Sequence, residues 1–168
     1  YESYVGSIIS SCALGVSAFG KLEAMALPML IAALGVVCSI IGTFFVSTKE
    51  NASQKQLLSA LSRGTNLSAI LIAIITVPLV YFVLGKANIS IYYAILAGLV
   101  SGVLIGQATE YYTSDSYKPT KNLAGTSETG TATIIIGGLS VGMLSTLIPI
   151  VIVVVCVLVA FYISGGAQ

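Results

Sequence analysis

The sequence contains no histidine and no tryptophan, and only 8% of its 168 residues are charged. Soluble domains carry roughly 25% charged residues, so an ordinary water-facing surface is excluded. Without histidine or any C-x-x-C spacing, the ligand set of a structural zinc site is missing as well. Seven basic against six acidic side chains leave a net charge of +1, which makes nucleic acid no obvious partner. Cysteine is scarce: Cys12, Cys38 and Cys156 all lie inside apolar segments. They read as small buried hydrophobes, since a disulfide framework places its cysteines in the loops of a small secreted chain. The start lacks the basic region and cleavage site of a signal peptide. With Tyr1 in place of an initiator Met, the expectation is a piece of a longer polypeptide.

What is present is apolar. Hydrophobic residues make up 57% of the chain and the mean hydropathy is +1.02. The expected class is an integral, multi-pass membrane protein, all-α, folded as a transmembrane helix bundle. A spanning helix needs about 20 mostly apolar residues, so the gaps between charges mark the spans. They fall at about residues 3–20, 24–48, 67–84, 89–109 and 130–163, within a single transmembrane domain fragment covering residues 1–168. Polar loops take up residues 49–66 and 110–129. In the first of these, Leu57, Leu58 and Leu61 recur at helical spacing, which predicts a short amphipathic helix on the membrane surface. Pro149 predicts a kink in the last span.

The long loops hold Lys49, Lys55, Arg63, Lys118 and Lys121, whereas the short turns hold only Lys21 and Lys86. Basic loops stay in the cytoplasm, which puts both long loops and Tyr1 on that side. Small residues recur every fourth position: Ser3, Ser7, Ser11 and Gly15; Gly35, Ser39 and Thr43; Gly98, Gly102 and Gly106; Gly138, Gly142 and Thr146. Such stripes let helix backbones approach closely in lipid, and close packing is the reading preferred to a water- or ion-lined path.

Few residues offer chemistry. Glu2 borders an apolar helix, where a carboxylate at membrane depth is costly and functional; a solvated, interfacial Glu2 fits the residues equally well. The segment AGTSETGTAT lacks the spacing of a phosphate-binding G-x-x-x-x-G-K-[ST] loop. It reads instead as a loop leading into a helix, capped by Thr126, Ser127 or Thr129. Glu110, Asp115 and Glu128 fit no known cation loop. Three sequons, at Asn51, Asn66 and Asn88, are discounted because they fall in cytoplasmic loops or against the membrane.

The patterns taken together resemble the membrane-bound, ion-translocating pyrophosphatases. The resemblance rests on the opening YESYV, ATEYYTS at residues 108–114 and Tyr117-Lys-Pro119. It continues through Ser127-x-Thr129-Gly130-x-Ala132-Thr133-x-Ile135-Ile136 and the run GMLST-x-x-P from Gly142 to Pro149. It covers essentially the whole chain, and it implies an internal portion of a larger multi-helix pump that couples cytoplasmic pyrophosphate hydrolysis to Na⁺ or H⁺ translocation. That implies pyrophosphate as substrate, a lipid bilayer, a homodimer, and location in a prokaryotic cell membrane or an acidic-organelle membrane. It also implies Mg²⁺ bound by parts of the protein other than this chain, with K⁺ and Na⁺ as further ions. Within the chain, Glu2 matches the family's gate glutamate and Ser3 lies beside it; no catalytic residue and no cofactor or metal ligand is expected here. Members lacking the glutamate at this place carry it one turn on, where this chain has Gly6, and this favours a sodium pump. On composition alone, a segment of a non-enzymatic secondary transporter or channel is the competing reading.

Overall fold

A computed structural model describes residues 1–20, 22–48, 52–85 and 89–165. All secondary structure among them is helical: α1 (Glu2–Phe19), α2 (Ala26–Thr43), α3 (Gln54–Leu84), α4 (Ile89–Thr113), α5 (Lys118–Gly125) and α6 (Thr131–Ile163). Short 3₁₀ turns at Leu22–Met25 and Thr126–Thr129 lead into α2 and α6. The chain divides into two compact units, Tyr1–Tyr93 and Ala94–Gln168. Lys21, Lys49, Asn51, Lys86 and Asn88, which entered the expectations about sidedness and glycosylation, lie outside the described residues.

In the first unit α1, α2 and α3 form consecutive antiparallel pairs. Helix α1 ends at Gly20, whose left-handed backbone (φ 61°) lets its N–H donate to the Val16 carbonyl at 2.8 Å. The chain then turns back. A Cβ on Gly15 would stand 3.2 Å from the Ala24 carbonyl oxygen, so α1 and the turn before α2 meet almost backbone to backbone. The Cys12 thiol donates to the Met25 carbonyl at 3.5 Å.

Helices α2 and α3 pack through their smallest residues. A Cβ on Gly42 would collide with Ser68 Oγ and stand 2.8 Å from the Gly64 carbonyl oxygen. One on Gly64 would lie 2.5 Å from Val46 Cγ2 and 3.1 Å from the Gly42 carbonyl oxygen. Ser68 joins the two helices: its hydroxyl lies 3.1 Å from the Cys38 carbonyl oxygen of α2 and 2.9 Å from the Gly64 carbonyl oxygen of its own helix. Cys38 is 1% exposed and Val80 2%. The cysteines are free thiols, Cys12 and Cys38 buried and Cys156 half-buried.

The stretch expected as a separate surface helix belongs to α3, which runs unbroken from Gln54 to Leu84. Its start is set by Gln56, whose Oε1 accepts the Ser53 backbone N–H at 3.1 Å. No proline separates it from the apolar stretch, and Gly64, the one weak helix former at the join, is held against α2. At about 1.5 Å per residue, the 31 residues of α3 reach roughly 46 Å, against a hydrocarbon thickness of about 30 Å. Pro78 lies inside α3 and Pro149 inside α6, and both helices continue through them.

In the second unit Leu123 of α5 lies over the start of α6: a Cβ on Gly137 would stand 3.1 Å from Leu123 Cδ1, and one on Gly138 3.9 Å from Cδ2. The N-cap of α6 is Gly130 (φ 124°), which corrects the expectation of a Thr or Ser cap. Thr126, Thr129 and Thr133 instead bond one another and nearby carbonyls. Thr126 Oγ1 donates to the Leu123 carbonyl at 2.6 Å, Thr129 Oγ1 to that of Thr126 at 2.7 Å, and Thr133 Oγ1 to that of Gly130 at 2.6 Å.

Among the described residues four helical stretches are long and apolar enough to cross a membrane, those of α2, α3, α4 and α6, with mean hydropathies of 2.2, 2.7, 2.0 and 3.0 over their most apolar windows. No residue of α4 or α6 is buried among the described residues. Large apolar side chains such as Ile74, Phe82, Ile135, Leu139 and Met143 stand out from the surface. In water such a surface would aggregate; in a bilayer it is the expected exterior. Helix α1, with Glu2 and five serines, is not among these four.

Candidate functional site

The two residues expected at an ion gate, Glu2 and Ser3, form the first turn of α1. The N-cap, Tyr1, makes no side-chain capping bond; the turn closes through the Val5 N–H, which donates to the Tyr1 carbonyl at 3.1 Å. Both Glu2 and Ser3 are exposed within this chain.

The two faces of α1 differ in kind. Tyr4, Ile8, Cys12 and Gly15, spaced four, four and three residues apart, share the side turned to α2. The Tyr4 hydroxyl donates to the Ala32 carbonyl of α2 at 2.9 Å, the Cys12 thiol reaches Met25, and Gly15 meets Ala24. Glu2, Gly6, Ser10, Ala13 and Ser17, also at helical spacing, lie on the opposite side and are all exposed. That side, which Ile9 shares seven residues after Glu2, presents one carboxylate followed mostly by small or hydroxyl-bearing residues over about four turns. Periodicity at every fourth residue picked out a different line. Ser7 Oγ and Ser11 Oγ each donate at 2.7 Å to the carbonyl four residues earlier, of Ser3 and Ser7, so both hydroxyls are satisfied by their own helix.

The loop after α4 gathers no ion site. Asp115 Oδ1 accepts the Ser116 hydroxyl at 3.4 Å, and the buried Ser114 accepts the Ser116 N–H at 3.2 Å. Thr120 Oγ1 donates to the Tyr112 carbonyl at 3.2 Å, and the rings of Tyr111 and Tyr117 lie 5.4 Å apart. These contacts hold α5 against the end of α4. Among the described residues no three acidic, histidine or cysteine side chains come together, so Glu110, Asp115 and Glu128 do not supply the oxygen cage a hard divalent cation needs.

Fold and surface thus define a multi-pass helical membrane protein whose first helix carries the carboxylate Glu2. The family model for inorganic H⁺ pyrophosphatase matches residues 1–166, and the chain belongs to that family. Over 99% of its length it is 47% identical to a putative K⁺-stimulated pyrophosphate-energized sodium pump of Bacteroides thetaiotaomicron. Over its full length it is 43% identical to a putative pump of the same description from Clostridium tetani. Over 99% it is 37% identical to a K⁺-insensitive pyrophosphate-energized proton pump of Methanosarcina mazei. The chain spans 24% of the length of each of these relatives.

Proposed function

We propose that this chain is one portion of a pyrophosphate-energised cation pump, a membrane hydrolase that couples cytoplasmic pyrophosphate cleavage to Na⁺ translocation. The observation that carries this reading is its 47% and 43% identity, across almost the entire chain, to two proteins described as sodium pumps. Proton translocation is the second cation reading, supported by 37% identity to a protein described as a proton pump. Pyrophosphate binding and cleavage belong to other parts of the protein, and so does Mg²⁺, which would neutralise the substrate's charge. K⁺ stimulation and a homodimeric assembly complete the reading, along with the five spans and cytoplasmic loops expected from the sequence, in which α1 is the first span.

In this reading Glu2 is the ion-gate carboxylate and Ser3 lines the gate beside it. A carboxylate in a dry passage binds Na⁺ directly or holds a proton, and a conformational change tied to substrate opens the passage. The test is pyrophosphate-dependent cation uptake by vesicles holding the full-length protein. Uptake that follows pyrophosphate supports the pump; uptake indifferent to it supports a secondary transporter or channel. In the same assay Glu2→Ala is expected to lower cation transport or its Na⁺ dependence by tenfold or more. Wild-type transport and Na⁺ activation in that variant would remove Glu2 from the gate.

A further inference from the structure

We infer that Tyr4 is a positioning residue for Glu2: its hydroxyl, donated to the Ala32 carbonyl of α2, sets the rotation of α1 and so the direction of the gate carboxylate. The inference rests on the proposed gate role of Glu2 and adds the element that orients it.

Near Glu2 the back-bonded hydroxyls of Ser7 and Ser11 tie α1 only to itself. The contacts at Cys12 and Gly15 lie two to three turns further on. Among the described residues, the 2.9 Å bond from the Tyr4 hydroxyl to the Ala32 carbonyl joins this part of α1 to another helix. It costs α2 nothing, because a helix carbonyl keeps a second lone pair after accepting its own N–H. Where water is scarce, no solvent replaces the bond once it is lost.

Two residues along an α-helix is about 200° of rotation, so Tyr4 and Glu2 lie on nearly opposite sides of α1. The tie therefore leaves the carboxylate uncovered while controlling where it points. A rotation of about 20° about the helix axis would move a group some 6 Å from that axis by about 2 Å. Displacement of a reacting or binding group by about 1 Å is enough to cost two orders of magnitude in function.

The experiment is a coupling measurement on the full-length pump in proteoliposomes: cations moved per pyrophosphate hydrolysed. Tyr4→Phe keeps the ring and its packing and removes only the donor. The expected result is a fall of threefold or more in the coupling ratio, with hydrolysis falling less than transport. In a Glu2→Ala background the same substitution should change the ratio no further, because the group it orients is gone. A proportional fall of hydrolysis and transport would mark Tyr4 as merely structural and overturn the inference. So would an undiminished further loss in the Glu2→Ala background. If Glu2→Ala lowers the ratio but Tyr4→Phe does not, the inference fails and the gate reading stands. If Glu2→Ala leaves the ratio unchanged, the gate reading fails and takes the inference with it.

Discussion

The crossing of α2 and α3 makes a sharp prediction about Gly42→Ala. The new methyl group would occupy the space of Ser68 Oγ and stand 2.8 Å from the Gly64 carbonyl oxygen, too close for carbon against oxygen. A side-chain rotation relieves the first clash, but only a shift of α3 relieves the second. Overpacking of this kind costs about 1–3 kcal/mol. Displacing Ser68 also breaks its bond to Cys38, and interhelical bonds in membranes average about 0.6 kcal/mol. Alanine's better helix propensity returns up to about 1 kcal/mol. The net expectation is a loss of roughly 2 kcal/mol, equivalent to about a thirtyfold change in the folding equilibrium. The assay is reversible unfolding of the purified full-length protein in mixed micelles, followed by a probe on α3. Gly35→Ala is the control on the same face, since its Cβ would meet only Ile72 Cδ1 at an ordinary 3.9 Å; it should be neutral or slightly stabilising. A Gly42→Ala protein within about 0.5 kcal/mol of wild type, the usual span of neutral surface substitutions, would refute the close crossing.

Two further outcomes follow from the same packing and from the start of α6. Ser68→Ala alone should cost about 0.6 kcal/mol, the average for a hydrogen bond between membrane helices. Combined with Gly42→Ala it should cost less than the sum of the two, because it removes one of the two clashing atoms; additive losses in the double-mutant cycle would count against that geometry. Gly130→Ala should lose about 1–3 kcal/mol, the cost of forcing a side chain into a strained backbone region, since Gly130 has φ 124°. A Gly130→Ala protein with unchanged thermal stability would show that α6 starts with ordinary backbone.

The gaps between charges overlap α1, α2, α3, α4 and α6, in keeping with the cost of a charge inside a bilayer, although Arg63 falls well inside α3. They marked helix ends less well where nothing stops a helix. The polar residues 54–66 contain no proline, so α3 absorbs them, and α4 runs on past Thr109 to Thr113 for the same reason. The small-residue stripes were the weakest guide. Steps of four residues drift about 40° each around a helix of 3.6 residues per turn, so a strict stripe leaves the contact line. On α2 the residues that meet α3 are Gly35, Cys38 and Gly42, in place of Gly35, Ser39 and Thr43. Around Gly98, Gly102 and Gly106 no other part of the described residues, beyond the helix's own neighbouring backbone, comes within 4 Å of a Cβ position.

The candidate site shows the limit of local pattern most plainly. Glu2 could be singled out because a carboxylate beside an apolar helix violates the ordinary cost of burial, and such a violation is visible from one residue and its neighbours. Tyr4 violates nothing: a tyrosine near a helix end is at home in membrane and soluble proteins alike. Its partner is a backbone carbonyl, which has no residue signature, and it lies 28 positions further along the chain. Only the turn at Gly20 and the antiparallel return of α2 bring the two together. A residue proposed to act by its own chemistry can leave a mark on the sequence, whereas one proposed to act by holding another in place leaves its mark on the fold. The proposal for Glu2 came from the sequence and its resemblance to the family; the proposal for Tyr4 had to wait for the α1–α2 pair.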